Sequence, residues 1–382
     1  MTSESHKNLF LRLLVFASTL VAAFWGLAKF LGSSGPALDA LALGQATSAV
    51  FGHVGGVPIH CQEPSGDSTC RKALVTDADE KGVLWLGNSQ LHGINQYRDG
   101  DLPGPQLVAE HLLSSNLPFA SISPPNASLT EHYAIYEWVR AATAIKTVII
   151  GLCYDDTREQ GLRPSIKSAL ADSQTQERLQ KTEFGQHLLT RISKDLSPNE
   201  DTAALNETVQ EKSELALNAW ASEHIGFWER RPELRGELMA KLYRFRNQVF
   251  GIKPTSIRKK IPYRYQENLE ALRALLEAAK EDDVNVILYN IPIRQDLSLP
   301  YEMKNYQAFQ HDTSELASRY GSKWINLEAV VPSEYWGEKS STSLREDVEV
   351  DFMHFQAPGH EILAKEILEL LEVKELDSRD KL

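Results

Sequence analysis

The chain has 382 residues, 42% of them hydrophobic, which is enough for one large core or for a core with an appended subdomain. Its formal net charge of -12 and isoelectric point near 5.5 argue against a general nucleic-acid binder, because phosphate binding needs a surplus of Lys and Arg. The same charge says nothing about fold.

The first element is an apolar run from Leu9 to Leu31. As a helix of about 23 residues it would reach roughly 34 Å, enough to cross a bilayer core. Lys7 and Arg12 at its start favour a cytoplasmic N-terminus with the remainder exported, and Arg12 and Lys29 can snorkel to the interfaces. The run reads as an uncleaved anchor over residues 1–32. A cleaved signal peptide and a buried helix are the alternatives, and no A-x-A site ends the apolar core.

Residues 33–80 read as an irregular linker. Cys61 and Cys70 lie there, nine apart, and in an exported protein they would close a small disulfide loop. Two unpaired thiols are the alternative. Zinc is disfavoured, because only His60 and His53 stand near. Alternating strands and helices then begin. Val83–Leu86, Phe119–Ile122, Thr147–Leu152, Val284–Tyr289 and Trp324–Leu327 read as strands; 104–115, 129–144, 266–281, 302–320 and 358–373 read as helices. Leu269, Leu272, Leu275 and Leu276 fall on one helical face. Such alternation predicts a parallel sheet covered on both faces. Cys153, after the third strand, reads as buried rather than reactive.

The rhythm defines an α/β domain in two parts, 81–157 and 255–382, split by a charged helical insertion at 158–254 that carries Trp220, Phe227, Trp228, Leu238, Leu242 and Phe245. An insertion at the carboxyl end of a strand can lie over a site there; a peripheral hairpin with no role in catalysis is the alternative.

Two features carry chemistry. The first predicted strand runs into Gly87-Asn88-Ser89-Gln90, which sets a serine hydroxyl at the carboxyl edge of the sheet, with N–H groups of a following helix available to a developing oxyanion. Near the C-terminus, Asp351 and His354 stand three apart in a loop before the last helix, a carboxylate beside an imidazole whose tautomer it can fix. Each alone also reads as ordinary turn chemistry. Together, in the order Ser, Asp, His, they resemble the first and last blocks of the SGNH (GDSL-like) hydrolase superfamily. The resemblance implies Ser89 as nucleophile, His354 as base and Asp351 as its orienting group, in a three-layer α/β sandwich with a flavodoxin-like parallel sheet of about five strands.

A narrower resemblance, to membrane-anchored DltD-like SGNH proteins that accompany membrane-bound O-acyltransferases, rests on the anchor, the LGNSQ block, Tyr289–Pro292 and the insertion. It implies a bilayer, an O-acyltransferase and an acylated polysaccharide or polymer as partners, and no metal or organic cofactor. The rival reading is a non-catalytic docking or polymer-binding partner of such an acyltransferase; an esterase acting alone is a third. Two departures bear on this: the first block has Asn88 where Asp is usual, and the usual Gly-x-Asn-Asp block reads Gly151-Leu-Cys-Tyr-Asp155-Asp156. With that amide absent, oxyanion candidates are Asn126, Asn290 and the N–H groups of Ser89 or Gln90. His92, Asp155 and Arg158 are candidates for substrate contact, with capping and internal ion pairing as the plainer readings. His360 reads as structural. Arg258, Lys259, Lys260 and Arg264 form a basic cluster that would suit an anionic polymer or lipid phosphate, or simply a solvated loop.

Overall fold

The computed structural model describes residues 49–64, 69–75, 81–195, 256–340 and 348–379. They belong to one compact unit assembled from Ala46–Asn206, Ile252–Ser341 and Arg345–Leu382. The Leu9–Leu31 run and the aromatic part of the insertion lie outside the described residues. Among the described residues no helix is long and apolar enough to cross a membrane.

A short antiparallel pair, β1 (His53–Val54) with β2 (Val57–Pro58), leads into β3 (His60–Cys61) and a single helical turn, α1 (Thr69–Lys72). The central strands are β4 (Gly82–Leu86), β5 (Phe119–Ile122), β6 (Ile145–Leu152), β7 (Asn285–Asn290) and β8 (Lys323–Asn326). With β3 they form one sheet in the order β3-β5-β4-β6-β7-β8, every pairing parallel. The expected count of about five strands is therefore corrected to six. The addition is β3, two residues long inside the stretch read as linker. A pair of residues with a polar His60 gives no alternation to detect; β3 exists because its backbone pairs with Ser121 and Ile122 of β5.

The central strands alternate between two buried clusters. Leu84, Leu86, Val148, Ile150, Val286 and Leu288 face one side, where they meet α3 (Leu129–Arg140), α7 (Pro262–Glu281) and α8 (Met303–Arg319). Val83, Trp85, Ile149 and Tyr289 face the other, where they meet α2 (Gly104–Ser114) and α9 (Ala357–Arg379). A period of two that feeds two cores is what a parallel sheet covered on both faces requires. Local chemistry starts these helices where they start. Ser128 and Glu131 close a reciprocal cap at the head of α3, each side chain accepting the other's backbone N–H. Pro262 occupies the first turn of α7, where its missing N–H costs nothing.

The described part of the insertion forms three short helices, α4 (Pro164–Ala169), α5 (Ser173–Leu179) and α6 (Glu183–Asp195). Ile166, Leu170, Leu179 and Leu188 join the first buried cluster, so this portion thickens the helical layer over α3. A final antiparallel hairpin, β9 (Trp336–Ser340) with β10 (Val348–Phe355), precedes α9.

Candidate active site

Ser89 follows β4 after Gly87 and Asn88 and opens a single 3-10 turn, Ser89–Leu91. The helix expected after the serine is this one turn, with His92 already extended at its end. Asn88 caps it: its side-chain oxygen accepts from Gln90 N at 3.0 Å, and its Nδ2 donates to Asp156 Oδ1 at 3.2 Å. Asp156 is buried and also accepts from Cys153 N. Burial pushes its carboxyl well above the ordinary carboxylate range, against the opposing pull of those donors. The Ser89 turn is thereby pinned to the end of the neighbouring strand β6.

Asp351 and His354 lie in β10 itself and not in a loop. The hairpin register breaks between Val350 and Phe355, which is the stretch that holds both residues. In a regular strand, side chains three apart point to opposite faces; the irregularity lets these two meet. Asp351 Oδ1 accepts from Met353 N at 2.8 Å and His354 N at 3.1 Å, which folds the backbone around the carboxylate. Its Oδ2 lies 2.8 Å from His354 Nδ1, and His354 Nε2 lies 3.0 Å from Ser89 Oγ. Ser89 and His354 are 265 residues apart in the chain. Ser89, at 9% exposure, is the most open of the three; His354 and Asp351 are at 5% and 1%. With Asp351 ionised, Nδ1 carries the ring proton and Nε2 presents a lone pair to the serine hydroxyl.

The other sequence candidates fare differently. Asn290, at the end of β7, is buried with both amide hydrogens engaged, on Tyr306 Oη at 2.9 Å and Asn326 Oδ1 at 3.2 Å, so it has none to offer an oxyanion. Gln90 N is likewise held by the Asn88 side-chain oxygen. Asn126 sits exposed in a turn with φ 50°, a left-handed conformation that asparagine tolerates, and has no bond to the Ser89–His354–Asp351 line. His92 is buried rather than solvated. Its Nε2 donates to Ser123 O at 2.7 Å, its ring packs against Phe51 and His60, and burial lowers it to about 3, so it stands as a neutral structural residue. Asp155 and Arg158 form an internal network: Asp155 is paired with Arg258 and Arg158 and accepts from Tyr301 Oη, while Arg158 Nε donates to Lys259 O. This answers to the ion-pair reading, and it takes Arg258 out of a solvated basic patch. Lys260 lies over the Tyr265 ring, and Arg264 is buried against Arg158 O.

Cys61 and Cys70 are joined in a disulfide, and Cys153 is a buried free thiol. His360 is buried, its Nδ1 accepting from Gly104 N at 3.0 Å. Among the described residues no cluster of His, Cys, Asp or Glu is arranged to hold a metal. Two side-chain amides at the site escaped the sequence reading. Gln90 Nε2 donates to Pro292 O at 2.8 Å and to Met353 O at 2.9 Å. Asn95 donates to Asp351 and to the His354 carbonyl. An amide in a loop leaves no periodic signal; closeness in sequence to Ser89 is the one cue either gives.

A serine, imidazole and carboxylate in hydrogen-bonded line at the carboxyl edge of a parallel α/β sandwich form the constellation of a serine hydrolase. Ser89 comes after a central strand and Asp351-x-x-His354 stands ahead of the last helix, which are the two blocks that carry the sequence resemblance. No protein-family profile matches the sequence, and a search of curated proteins finds no relative. Among solved structures, a GDSL-like lipase from Bacteroides thetaiotaomicron aligns at 11% identity over 80% of this chain and 94% of its own, with a TM-score of 0.36. The acetylxylan esterase Axe2 from Geobacillus stearothermophilus aligns at 10% identity over 76% and 93%, TM-score 0.35. AlinE4, an SGNH-hydrolase family esterase, aligns at 12% identity over 78% and 98%, TM-score 0.31.

Proposed function

We propose that this chain is an ester-cleaving serine hydrolase of the SGNH/GDSL-like type, with Ser89 as nucleophile, His354 as general base and acid, and Asp351 as the group that orients it. The observation that carries the reading is the continuous line from Ser89 Oγ to His354 Nε2 at 3.0 Å and from His354 Nδ1 to Asp351 Oδ2 at 2.8 Å. His354 takes the serine proton as Oγ adds to an ester carbonyl. The Ser89 N–H donates to the oxyanion that forms. The imidazolium then protonates the departing alcohol oxygen, which leaves an acyl group on Ser89. Water, or the hydroxyl of an acceptor, gives its proton to His354 as it adds to the acyl carbonyl, and the imidazolium returns that proton to Ser89 Oγ as the acyl group departs.

The finer reading is that this chemistry serves O-acyl groups of a cell-surface polysaccharide, in hydrolysis or transfer, outside the cytoplasm and tethered by Leu9–Leu31. The anchor-like run and the Cys61–Cys70 bridge support an exported setting.

The test is covalent. A fluorophosphonate should label the full-length protein at Ser89, located by peptide mass spectrometry. Labelling and aryl-ester turnover should fall by roughly 10³-fold or more in both Ser89→Ala and His354→Ala, and the double variant should be little worse, since such residues act as one unit. A Ser89→Ala protein that retains full turnover refutes the assignment. A native protein inert to both reagents favours the non-catalytic docking module.

A further inference from the structure

We infer that Asn95 is a positioning residue of this site, one that holds the Asp351 carboxylate and the His354 backbone so that the imidazole stays aimed at Ser89. The inference rests on the triad reading above. Asn95 is 1% exposed, and its Nδ2 makes two bonds, to Asp351 Oδ2 at 3.1 Å and to the His354 carbonyl oxygen at 2.8 Å. Both partners can only accept, so the nitrogen of the side-chain amide must face them. The two hydrogens of one NH2 group therefore both go to the segment that carries the base.

The placement has a chemical consequence. Asp351 Oδ1 is fixed by Met353 N and His354 N. Oδ2 faces the imidazole, and with Asn95 in place that oxygen is held from a second direction. A carboxylate held at both oxygens cannot swing without breaking several bonds, so the Nδ1–H donor keeps a fixed acceptor and the Nε2 lone pair keeps its direction. The second Asn95 bond, to the His354 carbonyl, fixes the backbone from which that ring projects. Asn95 lies on the same excursion of chain as Ser89, so it links the nucleophile's turn to the strand of the base.

The seat of Asn95 is built around it. Gly337 in β9 packs against its Cβ, where an added methyl group would come within 2.7 Å. Gln96, next along, has φ 48° and exchanges side-chain hydrogen bonds with the Glu338 backbone. The loop is thereby keyed into the β9–β10 hairpin beside Asp351.

Two variants of the full chain test this: Asn95→Ala, and Asn95→Leu, which keeps the volume and removes the donor. The readout is fluorophosphonate inactivation at Ser89, resolved into its maximal rate and its half-saturating concentration. Thermal unfolding would verify the fold of each. Loss of a hydrogen bond to a charged group should slow the maximal rate roughly tenfold or more in both variants, with half-saturation changed less than about twofold. In an Asp351→Ala background, Asn95→Leu should add less than about a twofold loss, because the residue acts through that carboxylate. An unchanged maximal rate, an effect confined to half-saturation, or an equal loss in the Asp351→Ala background overturns the inference while leaving the triad reading intact. A native protein that never labels at Ser89 overturns both.

Discussion

Four imidazoles are sealed into the interior. His60, His92, His132 and His360 are each no more than 2% exposed. Burial lowers His92, His132 and His360 to about 3 and holds His60 well below 6.5. They stay neutral in the fold but take up protons in the unfolded chain once the pH drops below about 6.5. The unfolded state then binds more protons, so stability falls with pH from that point, by roughly 1.4 kcal/mol per unit for each such ring. Asp156 and Glu159 work in the opposite sense: burial raises both carboxyls, so they keep protons in the fold and their burial penalty is relieved as the pH falls. Two groups against four leave the net sign unchanged. The midpoint of thermal unfolding should therefore drop clearly between pH 7.5 and pH 5. His132→Leu should flatten that slope, because neither ring nitrogen of His132 has a partner to lose. A midpoint independent of pH over this range would contradict the account. At this scale the sequence disclosed what carries a local signature. Ser89 closes an apolar run and Asp351 stands three before His354, whereas the vacancy of an amide depends on the tertiary structure. Asn290 looked like a donor because nothing in its neighbourhood shows that Tyr306 and Asn326 already accept both its hydrogens. Asn95 looked like nothing because its partners are more than 250 residues away.

Among the elements, the shortest strand depends on a covalent tie. Cys61 in β3 pairs with Ile122 of β5 and is bridged to the fully buried Cys70 in α1. A strand of two residues has few ladder bonds of its own, so this tether keeps the edge of the sheet in register. Closing a loop of nine residues contributes about 2–3 kcal/mol in the chain-entropy picture. Reduction, or the Cys61→Ala/Cys70→Ala pair, should lower the unfolding midpoint by several degrees. The intact mass should rise by one pair of hydrogens on reduction; free alkylation of both thiols without reductant would remove the basis for the expectation. The β9–β10 hairpin offers a second test. Gly337→Ala forces a methyl group onto Asn95 and Gln96, a crowding that costs about 1–3 kcal/mol and should also slow Ser89 labelling. Thermal unfolding and probe kinetics on the same sample decide it; unaltered labelling would show that the loop gives way without disturbing the base. The strands that could be read from sequence, β4 to β8, are those with apolar runs. β10 read as a loop because Met353 and His354 interrupt alternation where the register breaks, and β3 is too short to show any.

The whole molecule brings its chemistry to the carboxyl edge of one sheet, which is why alternating strands and helices were enough to place Ser89 and His354 on the same side. The α/β order was legible because each central strand feeds two cores. The inward packing of α4 to α6 was not, because their charged sequences carry few apolar residues per turn. If the Leu9–Leu31 run directs the chain outward as proposed, a reporter fused after Leu382 should be active only outside the cytoplasm, assayed with one enzyme that needs export and one that fails after it. Activity of the second alone would refute the topology. Ser89 and His354, the proposed nucleophile and base, stand far apart along the chain. A nascent chain gains Ser89 early, yet the imidazole that would activate it arrives 265 residues later, on a hairpin that must dock against a loop made long before. At the usual pace of synthesis, about 5–20 residues per second, that is a delay of roughly 13 to 50 seconds. Throughout it the serine is an ordinary alcohol, unable to attack the esters of the membrane through which the chain would be passing. If Ser89 is the nucleophile proposed, its reactivity would be withheld by the order of synthesis alone.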